Sequence, residues 1–320
     1  MKRQRAIITL AMGSNYYYRM ALALMLSAYR LGGKEYNYFI FSDVPVLPGL
    51  VTPDWLEVVP LSNRYYSSEK QITSRGEGFR VKSMILSDER IQNYDVLFLD
   101  SDCFVFKNSF DKIFQLIEQT SIAIYGDFAP EGQLWGRLDY STVALKAGYK
   151  VKNMWLNSGF IGRAADPLGR QFAAMYEKLM RTYPFRPYIK SKFWQAADEP
   201  YLATAFQLVM LENFSMLPER IPAPSSEDYL TTYYAKVDST EKLNPIVYSA
   251  YLNGSFTPSI IHFLGGMTDS YYRSLVNDIV EFNLKGQLLR PYFRSKHEMK
   301  RLLYYLKRVT DYNIREVRDF

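Results

Sequence analysis

The fold prediction starts from one stretch of the sequence, Tyr94-Asp95-Val96-Leu97-Phe98-Leu99-Asp100-Ser101-Asp102. Residues 96–99 form a short, fully apolar run, which is typical of a strand buried on both faces of a sheet. Asp100 and Asp102 follow this run and are two residues apart, so their side chains point the same way on an extended chain. Open α/β sheets bind their ligands at the carboxyl ends of their strands. The stretch therefore predicts an acidic ligand site at the end of a buried strand.

The two aspartates indicate a cation site. Carboxylates that converge on one point repel each other unless a cation lies between them. Oxygen ligands suit Mg²⁺ or Mn²⁺, and an added nitrogen ligand favours Mn²⁺. The single cysteine excludes a disulfide framework and a cysteine-based zinc site, and the two histidines exclude a multi-histidine cluster. The structural alternative for Asp100 and Asp102 is an acidic turn after a strand.

Strands and helices alternate in the first half of the chain. Apolar runs predict strands at residues 6–11, 36–41, 55–59, 96–99 and 121–125, and helical patterns predict helices at 16–31, 79–87 and 110–119. The stretch Arg75-Gly76-Glu77-Gly78 is predicted to be a flexible loop before the second helix. This alternation is typical of an α/β fold with a mostly parallel sheet covered on both faces. Neither of the two common glycine-rich phosphate loops occurs in the sequence.

The second half of the chain is less regular. Its predicted elements are a strand at 154–161, helices at 168–181 and 196–207, irregular surface over 218–258, and a last strand at 260–264. A hydrophobic content of 48% excludes an intrinsically disordered chain. No clear linker divides residues 1–280. We therefore expect one domain over residues 1–280 and a basic, aromatic, helical tail over residues 281–320.

Positive charge is concentrated in this tail. Residues 285–308 hold eight of the 39 basic residues but only one of the 33 acidic ones, so the rest of the chain is nearly neutral. On a helix, Met299, Leu302, Leu303 and Leu306 would share one face, with basic residues on the other. This pattern is typical of attachment to an anionic membrane surface. The alternative is a helix packed on the body. Nucleic acid is not an expected partner, because no nucleic-acid motif accompanies the patch.

The start of the chain is interpreted as a strand rather than as a signal peptide. The apolar stretch over residues 6–12 is short, and Gly13-Ser14-Asn15 leads into a tyrosine-rich helix. No apolar run approaches the ~18 residues of a membrane-spanning helix. We therefore expect a cytoplasmic protein that the tail can attach to the inner face of the membrane.

Six short motifs, in order, resemble those of the retaining GT-A glycosyltransferases, most closely glycosyltransferase family 8. That family includes glycogenin and bacterial lipopolysaccharide galactosyl- and glucosyltransferases. The motifs span roughly residues 6–270 and are Thr9-Leu10-Ala11 with Asn15-Tyr16, Arg80-Val81-Lys82, Asp100-Ser101-Asp102, Leu156-Asn157-Ser158-Gly159, Asp198-Glu199 and His262-Phe263-Leu264-Gly265.

The resemblance implies a fold and a reaction. The fold would be GT-A, a Rossmann-like nucleotide-binding mixed sheet, mostly parallel, flanked by helices. The reaction would move a hexose from a UDP-sugar to a saccharide or glycolipid acceptor, with retention of anomeric configuration, as in polysaccharide or lipopolysaccharide biosynthesis.

The resemblance also implies roles for particular residues. Asp100, Asp102 and His262 would hold Mn²⁺, or Mg²⁺, against the diphosphate of the donor. Tyr16 would stack on the uracil. The other residues implied at the donor are Ala11, Arg80, Lys82, Asp100, Ser101, Gly159 and Gly265, and those implied at the reacting sugar are Asp198, Glu199 and Asn157.

Two positions depart from the family pattern. Thr268 stands where the family has a lysine that grips the diphosphate, so either Arg273 replaces that lysine or the grip is weaker. Glu199 stands where the family has a glutamine, and its carboxylate could attack the anomeric carbon. Front-face attack by the acceptor needs no such residue, so the sequence leaves both mechanisms open.

Simpler roles and other functions also stay open. His262 can be a core histidine, Asn157-Ser158-Gly159 a bulge, and Asp198-Glu199 a helix N-cap. A haloacid-dehalogenase-like, Mg²⁺-dependent phosphatase also places D-x-D after an apolar strand. A GT-A-like binding protein without turnover is the third possibility, and the missing lysine at Thr268 keeps it open.

Overall fold

The structure is a computed structural model. It describes residues 3–43, 52–61, 65, 75–128, 148, 152–182, 198–232, 235–238, 245–249, 254–264, 266 and 269–286. The strands are β1 (Gln4–Ala11), β2 (Asn37–Ser42), β3 (Leu56–Pro60), β4 (Tyr94–Leu99), β5 (Cys103–Val105), β6 (Ile122–Phe128), β7 (Met154–Arg163), β8 (Tyr229–Thr231), β9 (Ala235–Asp238), β10 (Ile246–Ser249), β11 (Gly254–Phe256) and β12 (Ile260–His262). The helices are α1 (Asn15–Gly32), α2 (Arg75–Leu86), α3 (Phe110–Thr120), α4 (Pro167–Thr182), α5 (Glu199–Phe214) and α6 (Ser270–Gly286).

A six-stranded mixed sheet lies at the centre, in the order β3-β2-β1-β4-β7-β6. The first four of these strands run parallel to one another. β7 runs antiparallel to both β4 and β6. The predicted α/β class with a mostly parallel sheet is therefore confirmed.

Helices cover both faces of this sheet, and alternate residues of β4 show how. Leu97 and Leu99 pack in one apolar cluster with residues of α1, α3 and α6. Val96 and Phe98 pack in a second cluster with residues of α2, α4 and α5. The apolar run over residues 96–99 fits this arrangement, because neither face of β4 meets water there.

A small second sheet brings the C-terminal half of the chain to the end of β4. Its order is β5-β12-β8, with β12 antiparallel to β5 and parallel to β8. His262, the last residue of β12, lies opposite Cys103, the first residue of β5. A third sheet, β11-β10-β9, is fully antiparallel.

Several details of the secondary structure differ from the sequence prediction: β5 was not predicted, and the helix predicted to end at residue 207 ends at Phe214. Residues 75–78 begin α2 and do not form a loop, since hydrogen bonds within the helix outweigh the cost of about 1 kcal/mol for each helical glycine. Residues 218–258, predicted to be irregular, contain β8, β9, β10 and β11. Strands of three or four residues are too short to display a recognisable alternation. The last strand ends at His262 rather than at Leu264.

The predicted tail is mostly outside the described residues. The boundary expected at residue 280 falls inside α6, which continues to Gly286. The division into one domain and a tail stays a prediction. Among the described helices, none combines the length and apolar character needed to cross a membrane.

Candidate active site

The turn after β4 brings the two aspartates next to β12. The N–H of Asp100 donates to the carbonyl of Gly159 in β7, and the N–H of Cys103 donates to the carbonyl of Asp100, both at 3.0 Å. The chain therefore turns at once into β5, whose partner β12 ends at His262. A further backbone hydrogen bond, from the N–H of Phe263 to the carbonyl of Asp102 at 2.9 Å, links the turn after β4 to the end of β12. Residues far apart in the sequence thus meet at the end of β4.

Asp100, Asp102 and His262 offer ligand atoms that all lie within 4.8 Å of one another. Nε2 of His262 is 3.0 Å from Oδ1 of Asp102 and 3.8 Å from Oδ2 of Asp100. Donor atoms around a small divalent cation with bonds of about 2.1 Å lie roughly 3 to 4 Å apart, so this spacing fits such an ion. The expected group of two carboxylates and one imidazole is present, and the choice of Mn²⁺ stays a prediction.

The charges in this group depend on one another. Burial lowers the pKa of His262, but the carboxylates of Asp102 and Asp100 together outweigh this effect and leave that pKa raised. Burial raises the pKa of Asp100, although the positive charges of Lys82 and His262 oppose the rise. Two partly buried carboxylates converge beside a buried imidazole, and Lys82 balances part of their charge. A cation with two positive charges would match the rest.

Lys82 connects the aspartates of β4 with α5. Its buried ammonium lies 2.9 Å from Oδ1 of Asp100 and 3.2 Å from Oδ2 of Asp198. It also donates to the carbonyl and to the hydroxyl of Ser158, both at 3.2 Å. Burial lowers the pKa of Lys82, but the two carboxylates outweigh it, and the net shift is upward. The structure thus places the ammonium of Lys82 between Asp100 and Asp198. The contact with the donor that the resemblance implied stays a prediction.

Asp198 occupies the N-cap position of α5. Its side chain makes no capping hydrogen bond. Its Oδ1 accepts from Ser158 Oγ at 2.8 Å, and its Oδ2 accepts from the hydroxyl of Tyr176 at 2.9 Å. The carboxylate is fully buried and faces Lys82. The N-cap interpretation is therefore right about the position of Asp198, whose carbonyl accepts from the N–H groups of Tyr201 and Leu202. Its carboxylate is instead engaged by these side chains and not by the helix N–H groups.

Glu199 begins α5 next to this network. Its side chain is partly exposed. Burial, followed by the neighbouring charge of Asp198, raises the pKa of Glu199 to about 8. The side chain is thus largely protonated near neutral pH.

The motif Asn157-Ser158-Gly159 lies in β7 at a register shift of its pairing with β6, where Tyr125 pairs with Asn157 and Ile124 with Ile161, and this irregularity fits the bulge interpretation. The bulge also has a local function. A Cβ atom on Gly159 would lie 2.5 Å from Cε1 and Nδ1 of His262, so only glycine allows the imidazole this close to the strand. Oδ1 of Asn157 lies 2.9 Å from Nδ1 of His262.

The remaining predicted residues lie around this group or outside the described residues. Ala11 ends β1 and is fully buried. Tyr16, in the first turn of α1, is 38% exposed. Arg80 lies in α2, two residues before Lys82, and is partly buried. Ser101 lies between the two aspartates and accepts a hydrogen bond at its carbonyl. Gly265 and Thr268 lie outside the described residues.

Three buried tyrosines contribute to the site, and the sequence analysis missed all of them. Their hydroxyls donate to Asp198 (from Tyr176, 2.9 Å), to Asn157 (from Tyr229, 3.0 Å) and to the carbonyl of Ser101 (from Tyr272, 3.0 Å). No local signal separates them from the other tyrosines, of which the chain has 27 in all. Their roles follow only from the fold.

No protein-family model and no curated protein matches this chain. Among solved structures, it is similar to the galactosyltransferase LgtC in complex with donor and acceptor sugar analogs. The TM-score is 0.52 at 11% identity, over 86% of this chain and 95% of LgtC. An active-site mutant of LgtC, with glutamine replaced by glutamate, matches with a TM-score of 0.51 at 12% identity, over 86% of this chain and 95% of that chain.

The chain is also similar to the bifunctional glycosyltransferase WbbM in its apo form. The TM-score is 0.52 at 13% identity, and the match covers 88% of this chain but 50% of WbbM. At these identities the likeness concerns the fold. The protein has the GT-A fold, as the motif order predicted.

Proposed function

We propose that this protein is a divalent-metal-dependent glycosyltransferase resembling family 8. It would move a hexose from a UDP-sugar to a saccharide or glycolipid acceptor with retention of configuration. The observation that carries this proposal is the convergence of Asp100, Asp102 and His262 at the end of β4 in a GT-A fold. This is the edge of an α/β sheet at which ligands bind.

In this proposal the two carboxylates and Nε2 of His262 hold Mn²⁺. The bound ion would supply positive charge opposite the departing nucleoside diphosphate. The protein's own residues do the remaining work of binding and orienting the substrates. The donor set fits Mn²⁺ because one nitrogen accompanies the two carboxylates.

Asp198 would bind hydroxyl groups of the donor sugar. Ser158, Tyr176 and Lys82 contact its carboxylate within 3.2 Å, which fixes its orientation before the sugar arrives. An ionised carboxylate offers about four acceptor sites, and these three contacts leave one of them. Because the side chain is fully buried, a sugar hydroxyl would reach it only after the surrounding residues move. Pre-orientation of this kind lowers the cost of binding.

Glu199 would act as a neutral group near pH 7. With a pKa of about 8 it keeps its proton and can donate a hydrogen bond, as the amide of the family's glutamine can. A protonated carboxyl is a poor nucleophile. We therefore favour front-face attack by the acceptor over a covalent intermediate at Glu199.

Residues at the end of β1 and in α6 would bind the nucleotide. Tyr16 would stack on the uracil, since its ring is partly exposed next to the end of β1. Gly13, with a φ of +82°, makes the turn between β1 and α1. Arg273 lies in the first turn of α6 beside Tyr272, whose hydroxyl contacts the carbonyl of Ser101. Arg273 is thus our candidate for the cation at the diphosphate.

Our proposals for the acceptor and for the location of the protein depend on the basic tail. The basic residues at 285–308 would attach the protein to the cytoplasmic face of an anionic membrane, where glycolipid acceptors are assembled. Residues 287–320 lie outside the described part of the chain, so this remains a prediction from the sequence alone.

A thermal-shift screen with Mn²⁺ and a panel of nucleotide sugars tests the proposal. A ligand at one hundred times its Kd adds about 2.7 kcal/mol to the free energy of unfolding. We expect a UDP-hexose to raise the melting temperature only when Mn²⁺ is present. Binding of no nucleotide sugar would contradict the proposal. Binding of a nucleotide sugar with neither release of UDP nor transfer of the sugar would favour the GT-A-like binding protein.

A further inference from the structure

Oδ1 of Asn157 is the centre of a partly buried hydrogen-bonding cluster. It accepts from the N–H of Gly159 at 3.1 Å and from the hydroxyl of Tyr229 at 3.0 Å. It also lies 2.9 Å from Nδ1 of His262. Three groups thus surround one amide oxygen, on the side of the imidazole ring away from Asp100 and Asp102.

The N–H of Gly159 fixes the orientation of this amide. A backbone N–H can only donate, so the atom that faces it must be the oxygen of Asn157 and not the nitrogen. The oxygen can only accept. Nδ1 of His262 must therefore carry a proton, because two acceptors 2.9 Å apart would repel each other.

The proton on Nδ1 decides what the other ring nitrogen can do. By the same reasoning, Nε2 shares a proton with the carboxylate of Asp102. A divalent cation would displace that proton, and the proton held on Nδ1 then leaves the lone pair on Nε2. Nε2 is the atom that lies 3.0 Å from Oδ1 of Asp102 and 3.8 Å from Oδ2 of Asp100. The lone pair is thus directed to the place where the two carboxylates converge.

We infer that Asn157, supported by Tyr229, is a positioning residue that holds His262 with its proton on Nδ1 and so presents Nε2 to a divalent cation. This inference rests on the proposed function and deepens its metal site. It changes the role of Asn157, whose oxygen is engaged by the protein rather than left for a sugar. It also gives a role to Tyr229, to which the sequence assigned none.

Tyr229 is suited to this support because its own position is rigid. It is fully buried in β8, and its ring packs edge-on against Tyr125 and Phe160, at centroid distances of 4.7 and 5.1 Å. Its hydroxyl lies 3.0 Å from both Asn157 Oδ1 and His262 Nδ1. The pairing of β8 with β12 holds both tyrosine and imidazole in register.

The test is a titration of the full-length protein with Mn²⁺ alone, with free Mn²⁺ followed by electron paramagnetic resonance. Asn157→Leu removes the acceptor at similar volume, Asn157→Asp keeps an acceptor, and Tyr229→Phe deletes one hydroxyl. Tyr38→Phe is the matched control, because that buried hydroxyl donates to the carbonyl of Gly33, away from the imidazole. Melting temperatures are measured for every variant.

We expect Asn157→Leu to weaken Mn²⁺ binding by about 10- to 100-fold, the range for loss of a partner behind a metal-bound histidine. Tyr229→Phe should weaken it less, Asn157→Asp should bind at least as tightly as wild type, and Tyr38→Phe should not change it. Wild-type affinity in folded Asn157→Leu, or equal weakening in Asn157→Asp, overturns the inference.

If Asn157→Leu does not fold, Tyr229→Phe decides, and unchanged affinity there overturns the inference. In all these cases Mn²⁺ still binds the wild-type protein, so the proposed function stands. Failure of the wild-type protein itself to bind Mn²⁺ overturns both.

Discussion

The ammonium nitrogen of Lys82 lies 2.9 Å from Oδ1 of Asp100, inside the protein. The first aspartate of the D-x-D pair therefore has a positive partner of its own, apart from any metal. The same ammonium is 3.2 Å from Oδ2 of Asp198. One buried charge thus contacts both Asp100, the aspartate proposed to bind the metal, and Asp198, the aspartate proposed to bind the sugar.

Lys82→Met should destabilise the protein by about 3–5 kcal/mol, as expected when one partner of a buried ion pair is removed. The reason is that Asp100 and Asp198 would lose their shared counter-charge. The measurement is urea denaturation at neutral pH. Arg181→Met is the matched control, since Arg181 is exposed and pairs with the partly exposed Glu177 one helical turn away, and should cost below about 1 kcal/mol. Equal effects of the two substitutions would contradict this account.

Glu199 should make the free energy of unfolding fall as the pH rises. Its pKa is about 8 in the folded protein against an ordinary 4.5, so between these values the folded state holds a proton that the unfolded chain has lost. Stability is therefore lost between about pH 5 and pH 8. Glu199→Gln removes this dependence. Denaturation in EDTA across that window should show a smaller fall for the variant, and parallel curves would disprove the raised pKa.

Gly159→Ala should damage the metal site. The new Cβ would lie 2.5 Å from the ring of His262, which must then move away from Asp102. We expect Mn²⁺ affinity, measured by calorimetric titration, to fall about tenfold or more, as when the support of a metal-bound histidine is lost. Gly78→Ala in α2 is the control, because a Cβ there has no atom within 4 Å. A Gly159→Ala variant that binds like the control would show that the close approach is unimportant.

Truncation after Gly286, where α6 ends, should leave a folded protein that no longer sediments with anionic vesicles. The residues removed include seven of the eight basic residues of the 285–308 segment, and each contributes on the order of 1 kcal/mol near an anionic surface. Binding of the full-length protein should weaken steeply with salt. The opposite outcome is that truncation sharply lowers the melting temperature and that the full-length protein does not bind vesicles. That result would show that the tail is a helix packed on the body.

The sequence predicted the central elements well because their signals are local. The run at residues 96–99 is apolar at every position, and only a strand covered on both faces buries all of it. The aspartates follow directly, so their location at the strand end needed no tertiary information. Only the resemblance to a family identified His262 as a third ligand. Its strand is short, and its position depends on pairing with β5.

The rest of the site depends on contacts between distant elements. Lys82 points inward to Asp100 and Asp198, which no helical pattern in α2 indicates. Tyr229 and Tyr176 are two among 27 tyrosines, and only the packing of β8 and α4 selects them. The short strands between residues 229 and 256 form because each finds a partner, which cannot be read from their three or four residues alone.

The most direct test of the proposed function is release of UDP from a UDP-hexose by the wild-type protein and by Asp102→Asn, each with Mn²⁺ and with EDTA. We predict release by the wild-type protein with Mn²⁺, none with EDTA, and none from Asp102→Asn although it melts like the wild type. Release that persists in EDTA or in Asp102→Asn, or its absence from the wild-type protein with every UDP-hexose tried, would contradict a metal-dependent glycosyltransferase.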